Sequence, residues 1–94
     1  GRLVYVLPKN QDNTAQFKIA KKALEDFVLD VEPVSNQVVV KTTTAAAQVI
    51  AESIDNLYID NIVASIAGDN VVLIISNDES KAKEVAKTIE GNIK

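Results

Sequence analysis

One stretch of the chain alternates apolar and polar positions with the two-residue period of a β-strand. Within residues 28–34, Leu29 and Val31 are predicted to face one side of a strand and two acidic residues the other. Pro33 has no backbone N–H, which indicates that this strand is an edge strand or ends there. A Ser-Asn turn then leads into VVVKT, residues 38–42, so the pattern predicts a β-hairpin.

Three other segments repeat their apolar residues every three to four positions, which predicts amphipathic helices. The first is expected to follow a polar linker over residues 9–13, with Asn13 or Thr14 as its N-cap. Three consecutive threonines offer N-caps for a second helix of about 13 residues, and Asn77 or Asp78 caps the third. The predicted buried stripes are Ile19, Ala20, Ala23, Leu24 and Phe27, then Ala46, Val49, Ile50, Ser53, Ile54 and Leu57, and then Ala82, Val85, Ala86 and Ile89.

Two further β-branched runs, residues 59–67 and 71–76, flank a Gly-Asp-Asn turn, which predicts a second hairpin. With the short strand RLVYVL near the start, the order is ββαββα preceded by a strand and a helix. Because hairpins connect the strands, we expect an α+β fold, a two-layer sandwich with a four-stranded antiparallel sheet and two helices on one face. The run VVLIIS has aliphatic residues on both faces of its strand, so we expect a subunit interface to cover the other face.

Composition excludes several classes of chemistry. The 94 residues suffice for one domain and include no cysteine and no histidine, so disulfides are excluded and the commonest general base and metal ligand are missing. We therefore expect neither an enzyme nor a metal site. The longest apolar runs are far shorter than the roughly 20 residues of a membrane helix, and the start does not resemble a signal peptide, so a cytoplasmic protein without membrane contact is expected.

The net charge of −3 is unevenly distributed along the chain. Between Lys41 and Lys81 there is no cation. Such a surface repels a phosphate backbone and favours a cationic partner, so this chain alone is not expected to bind nucleic acid. The six carboxylates in this stretch are Glu52, Asp55, Asp60, Asp69, Asp78 and Glu79.

The element order and three segments are similar to the arginine repressor family: VVVKT, AAQVIAESIDNL over residues 46–57, and SIAGDNVVLI over residues 65–74. The resemblance covers roughly residues 26–90 and implies that residues 28–94 are the C-terminal domain for oligomerisation and ligand binding. It also implies that residues 1–8 are the last strand of an absent winged-helix DNA-binding domain and that residues 9–27 are a linker and helix. Because the chain opens with glycine and not methionine, we expect it to be trimmed from a longer protein; the alternative is a native short protein whose first strand is swapped or lies at an edge.

The same resemblance implies a binding site for L-arginine. A guanidinium group needs a carboxylate, and Asp69 stands at a tight hairpin turn where it is exposed and far in sequence from any cation. The alternative is that Asp69 only forms the turn, that Gln48 and Asp55 are solvated helix residues, and that Ser65 bonds to backbone. The residues that match the family's site are Gln48, Asp55, Ser65, Ala67, Asp69 and Asn70.

The sequence departs from the family pattern at two places. Thr44-Ala45 stands where Pro-Gly is usual, which affects the turn into the central helix. Asn70 replaces the second of two paired aspartates, which removes a charge-assisted contact worth about 1.5–3 kcal/mol wherever that carboxylate pairs directly with the ligand.

The resemblance implies a homo-oligomer in which trimers pair into hexamers, with arginine as corepressor at the trimer–trimer interface. Operator DNA would be bound only through the absent N-terminal domain, and a paralogous repressor subunit is a further partner. This describes a transcriptional regulator of arginine metabolism. The alternative is an oligomerisation module that has lost or weakened arginine binding because of Asn70.

Overall fold

The computed structural model describes residues 10–93, with side chains from residue 15 onward. The elements are α1 (Asn10–Phe27), β1 (Val28–Val34), β2 (Gln37–Thr42), α2 (Ala47–Leu57), β3 (Ala64–Ala67), β4 (Val71–Ile75) and α3 (Glu79–Ile93). All strand pairs are antiparallel, and the sheet order is β1-β2-β4-β3. The α+β class and the ββαββα order are thereby confirmed. The strand predicted within residues 1–8 lies outside the described residues.

One face of the sheet is covered by helices. Val38 pairs with Ile74 and Val40 with Val72, and all four side chains are fully buried on this face. α3 packs over β1 and β2, α2 packs beside β3 and β4, and α1 packs mainly against α2. The prediction that two helices cover one face is confirmed, and the burial of these aliphatic side chains supplies the main driving force for folding. No helix among the described residues is long and apolar enough to cross a membrane.

Residues 10–93 leave the opposite face of the sheet uncovered. Ile66 on β3 is 61% exposed on this face, although it lies beside the aliphatic side chains of Leu73 and Val39. Two rows of register partners cross this open face: Ile66, Leu73, Val39 and Glu32, and beside them Ala64, Ile75, Gln37 and Val34. Aliphatic side chains therefore continue across three of the four strands without cover from the described elements.

Two element boundaries and the alternation of one strand differ from the prediction. α1 already includes residues 10–13, which the sequence predicted as a linker. The last predicted hairpin begins late, because residues 59–63 form turns in which Asn61 has a positive φ of 75°, and only Ala64–Ala67 pair as a strand. The alternation predicted for β1 is wrong at Leu29, since a register shift between Val28 and Asp30 places this residue in a bulge where it is exposed.

The N-cap prediction is wrong for α2 and confirmed for α3. The N-cap of α2 is Ala46, which makes no side-chain cap hydrogen bond, and the helix has 11 residues. The predicted capping residue Thr42 instead ends β2 and is buried, and its hydroxyl donates to the Thr43 carbonyl. Asp78 caps α3 by accepting the backbone N–H of Lys81 at 2.9 Å.

The predicted stripe of α3 is buried in full, whereas those of α1 and α2 are buried only in part. Ile19 and Phe27 at the margins of the α1 stripe are exposed, as is Val49 on α2. Ala47 is buried in place of Val49. A helix buries only the part of its apolar stripe that faces neighbouring elements, so the margins of the α1 and α2 stripes reach solvent.

Candidate functional site

The six residues implied as an arginine site lie on α2, on β3 and at the hairpin between β3 and β4. The tip of this hairpin, Gly68-Asp69-Asn70, is exposed. Because α2 packs beside β3 and β4, the tip and the helix belong to one flank of the molecule. The side chains of Gln48 and Asp55 on this flank are exposed, as are those of the tip.

Two long-range backbone hydrogen bonds hold the hairpin tip. The Ala47 N–H in the first turn of α2 donates to the Asp69 carbonyl at 3.2 Å, and the Thr42 N–H at the end of β2 donates to the Asn70 carbonyl at 2.9 Å. The first N–H groups of a helix have no partner within the helix, so the tip satisfies one of them. Both carbonyls are therefore engaged with the protein, and the exposed side chains of Asp69 and Asn70 remain available to a ligand.

Gln48 directly follows Ala47, whose backbone N–H holds the hairpin tip, so the structure places Gln48 close to Asp69. Asp55 lies seven residues further along α2, which is about two turns or about 10 Å along the helix axis. Both side chains are exposed and lie on the side of the helix opposite the buried Ile50 and Ile54. Asp55 is thus on the same helix face as Gln48 but is not at the tip.

Ser65 and Ala67 are half-buried, and their register partners Ile74 and Val72 place their side chains on the helix-covered face. The Gly68 N–H donates to the Val71 carbonyl at 2.8 Å. Since hydrogen-bonded and non-hydrogen-bonded pairs alternate along an antiparallel ladder, Ser65 and Ala67 fall at non-hydrogen-bonded positions. Their backbone N–H and C=O groups consequently point to the free edge of the sheet, where they can contact a ligand.

The electrostatics of this flank favour a cation. Residues 42–80 contain no lysine or arginine. The two salt bridges found among residues 15–93 are Lys22–Asp26 and Lys83–Glu79, so neither Asp55 nor Asp69 is neutralised by a cation of the described chain. Carboxylates and free backbone groups in a stretch without cations can accept the donors of a guanidinium or an ammonium group.

The described residues contain no cluster of three or more metal-ligating side chains of the histidine, cysteine, aspartate and glutamate types. Three depressions of the described surface are lined by α1, the end of α2 and the segment after it, α3 and β1, and none of them includes any of the six residues. A ligand on the six residues would remain largely open to solvent unless a second molecule covered it.

Sequence reasoning missed three contributors to this flank. Thr42 was expected only as a cap, but its backbone holds Asn70, and Ala47 holds Asp69. Glu52 is exposed on α2 between Gln48 and Asp55 and adds a third acid to the helix face and the tip. The helical spacing 48, 52, 55 is visible in the sequence and could have revealed Glu52. The two backbone contacts leave no signal in the sequence pattern.

The chain is similar to a family model and to several known proteins. The model described as the C-terminal domain of the arginine repressor matches residues 24–91. A protein of Clostridium novyi (strain NT) is 37% identical over 90 residues, which cover 96% of this chain and 59% of that protein. One of Exiguobacterium sp. is 34% identical over 91 residues, with 97% and 60% covered.

A third relative, from Clostridium acetobutylicum, is 44% identical over 63 residues, which cover 67% of this chain and 42% of that protein. All three relatives carry the name "Arginine repressor", so the prediction that the chain is not an enzyme is confirmed. The chain spans 59%, 60% and 42% of the lengths of these relatives. On the extent of the family match and these identities, the chain belongs to the arginine repressor family and carries its C-terminal domain.

Proposed function

We propose that this chain is the oligomerisation and L-arginine-sensing domain of a transcriptional regulator of arginine metabolism. The proposal rests chiefly on the exposed hairpin tip, where Asp69 is held beside Gln48 by the 3.2 Å hydrogen bond from Ala47. Residues 42–80 contain no cation, and Lys41, which pairs with Val71 beside the tip, forms no salt bridge with Asp69 within the described residues. A carboxylate presented rigidly in this way matches the fork of donors on a guanidinium group.

Assembly is the second part of the proposed function. The open sheet face carries an aliphatic cluster that a second copy of the chain would bury. Copies would form trimers that pair into hexamers, and arginine at the trimer–trimer interface would contact both trimers. Because the ligand would contact the hexamer more extensively than a single trimer, it would shift the population toward the hexamer.

The remaining partners and the location are also proposals. Arginine would act as a corepressor and not as a catalytic cofactor. Operator DNA would be contacted by an N-terminal domain outside residues 28–94, since residues 42–80 lack cations that could pair with phosphates. A paralogous repressor subunit could share the same interfaces, and the regulator would work in the cytoplasm.

Asn70 supports a second candidate function, an assembly module that binds arginine weakly or not at all. An amide in place of a carboxylate removes one charge-assisted contact, which would weaken arginine binding by roughly tenfold to a hundredfold where the contact is direct. The exposed side chain of Asn70 at the tip is the observation that favours this candidate.

Titration calorimetry with L-arginine decides between the two candidates. We expect saturable heat with L-arginine and none with L-citrulline, which has nearly the same shape but no charge. The variant Asp69→Asn should sharply weaken the binding, while the control variant Glu79→Gln should leave it unchanged, because Glu79 is paired with Lys83 on α3, which follows the end of β4 opposite the tip. No heat at millimolar L-arginine would leave only the assembly function.

A further inference from the structure

One of the three depressions lies where the C-terminal end of α2 meets α1 and α3, whereas the hairpin tip is held at the N-terminal end of this helix. This depression has a volume of about 350 Å³. A volume of this order accommodates a small ligand or one long side chain of a partner. Its lining residues include Phe17, Tyr58, Asp60, Asn61, Glu84 and Thr88, none of which belongs to the proposed arginine site.

Two aromatic side chains line this cavity and remain exposed although they are large. Phe17 on α1 is 43% exposed and Tyr58 after α2 is 74% exposed. The face of an aromatic ring carries partial negative charge, so it attracts a cation placed over it, and a planar guanidinium can also stack on it. The exposed rings thus offer flat contact area for a cationic group.

Three further features give the cavity a negative potential. Asp60 and Glu84 both line it, and neither has a salt bridge within residues 15–93. The C-terminal end of α2 adds the partial negative charge of its last carbonyls. No basic residue in the last turn of this helix offsets that charge. No lysine or arginine is among the residues that line the cavity.

The Glu84 carboxylate accepts a hydrogen bond on one of its two oxygens. The Asn61 side-chain amide donates to its Oε1 atom at 3.2 Å, and no hydrogen bond to its Oε2 atom is formed within the described residues. Thr88 and Asn92 follow at four-residue spacing on the same face of α3, and their side chains donate to the backbone carbonyls of Glu84 and Thr88. The Oε2 atom of Glu84 can therefore accept a hydrogen bond from a ligand.

We propose that this cavity is a second cation-binding site that takes a guanidinium group, stacked on an aromatic ring and hydrogen-bonded to the carboxylates of Glu84 and Asp60. The guanidinium can belong to an arginine side chain of a protein partner or to free arginine. A site of this kind differs from the hairpin tip because it makes no use of an α-amino or α-carboxylate group.

N-acetyl-L-arginine amide is the probe that tests the site, since it keeps the guanidinium and lacks both zwitterionic groups. Titrated into the nitrogen-15-labelled protein, it should shift the side-chain amide signals of Asn61 and Asn92 saturably at millimolar concentration. The Glu84→Gln variant should weaken the apparent affinity roughly tenfold, because Gln keeps the size and removes the charge. The matched variant Glu90→Gln, on the same helix but outside the cavity, should not change it.

The uncharged N-acetyl-L-citrulline amide should leave these signals unmoved. Free L-arginine, titrated into an Asp69→Asn variant, separates the two sources of the guanidinium: shifts at Asn61 show that free arginine also enters, and their absence assigns the cavity to a peptide side chain. The proposal is overturned if the arginine probe produces no saturable shift at Asn61 and Asn92. Equal affinity in the native protein and Glu84→Gln would overturn it as well.

Discussion

At the scale of single residues, Ala45 has a backbone conformation that favours glycine. Its φ of 66° lies in the left-handed region, immediately before the N-cap of α2. The β-carbon of alanine makes this region unfavourable by about 1–2 kcal/mol, whereas glycine adopts it freely. Ala45 therefore holds a strained backbone conformation that a glycine would adopt freely.

Replacing Ala45 with glycine is expected to stabilise the protein by about 1 kcal/mol, since relief of the left-handed strain exceeds the added flexibility of the unfolded chain. The side chain is exposed, so no packing is lost. The free energy of unfolding is measured in urea at one protein concentration, because an oligomer's stability depends on concentration. The same change in the middle of α2, Ala51→Gly, should instead destabilise by about 1 kcal/mol. A loss of stability in Ala45→Gly would contradict the strain that we infer.

The hairpin tip shows how backbone contacts prepare side chains for binding. Asp69 and Asn70 use their carbonyls to satisfy the backbone N–H groups of Ala47 and Thr42, so the tip is fixed without any use of the two side chains. If Asp69 served only to form the turn, its side chain would be expected to make hydrogen bonds to the backbone of the turn. No such bond from Asp69 is formed within the described residues, which favours the ligand-binding interpretation.

At the scale of elements, the two edges of the sheet differ in their protection. β1 has a bulge at Val28/Asp30, a proline and two acids, all of which discourage pairing with another strand. β3 is short and contains no charge or proline, and Ile66 on its open face is mostly exposed. The β3 side of the open face is therefore where we expect association with another copy.

The variant Ile66→Lys should abolish or weaken self-association while leaving the chain folded, because the side chain is exposed in the single chain and would be buried against a neighbour. Sedimentation velocity gives the mass and circular dichroism confirms the fold. The control is Ile19→Lys, the same change at a residue of α1 that is 68% exposed. If both variants assemble like the native protein, the open face is not an assembly surface.

At the scale of the whole molecule, the proposed assembly brings several acidic tips close to one another. A second carboxylate at each tip would increase repulsion between them, and the repulsion is weak in water but greater where an interface excludes solvent. Asn70 in place of aspartate removes one charge from every copy. The ligand-free oligomer should then be held together more strongly than one with two acids per tip.

The variant Asn70→Asp tests this balance in both directions. Without arginine, we expect the oligomer of the variant to dissociate at a higher protein concentration than that of the native chain. With arginine, we expect binding to be roughly tenfold to a hundredfold tighter where the new carboxylate contacts the guanidinium. Sedimentation of the ligand-free proteins and calorimetry with L-arginine measure the two effects. Ligand-free association of the variant that equals or exceeds that of the native protein would sink the repulsion argument.

Local sequence patterns were sufficient to predict most of the helices and strands and the exposed hairpin tip of the candidate site. The periodic stripe of Ala82, Val85, Ala86 and Ile89 and the cap at Asp78 predicted α3 correctly, because helix period and capping depend on residues close in the chain. The Gly-Asp-Asn turn likewise predicted an exposed Asp69. The family resemblance supplied the arginine ligand, which no periodicity could have indicated.

The sequence by itself determined the order and type of the elements, the antiparallel hairpins and the absence of cations over residues 42–80, since each of these follows from neighbouring residues. Only the tertiary structure decided that Leu29 bulges into solvent and that Ala45 turns left-handed. It also decided that Ala47 fixes the tip of a hairpin more than 20 residues away in the chain, beside Gln48. These features depend on how distant elements meet, and their contacts satisfy backbone groups that every residue type shares, so they leave no pattern in the side chains.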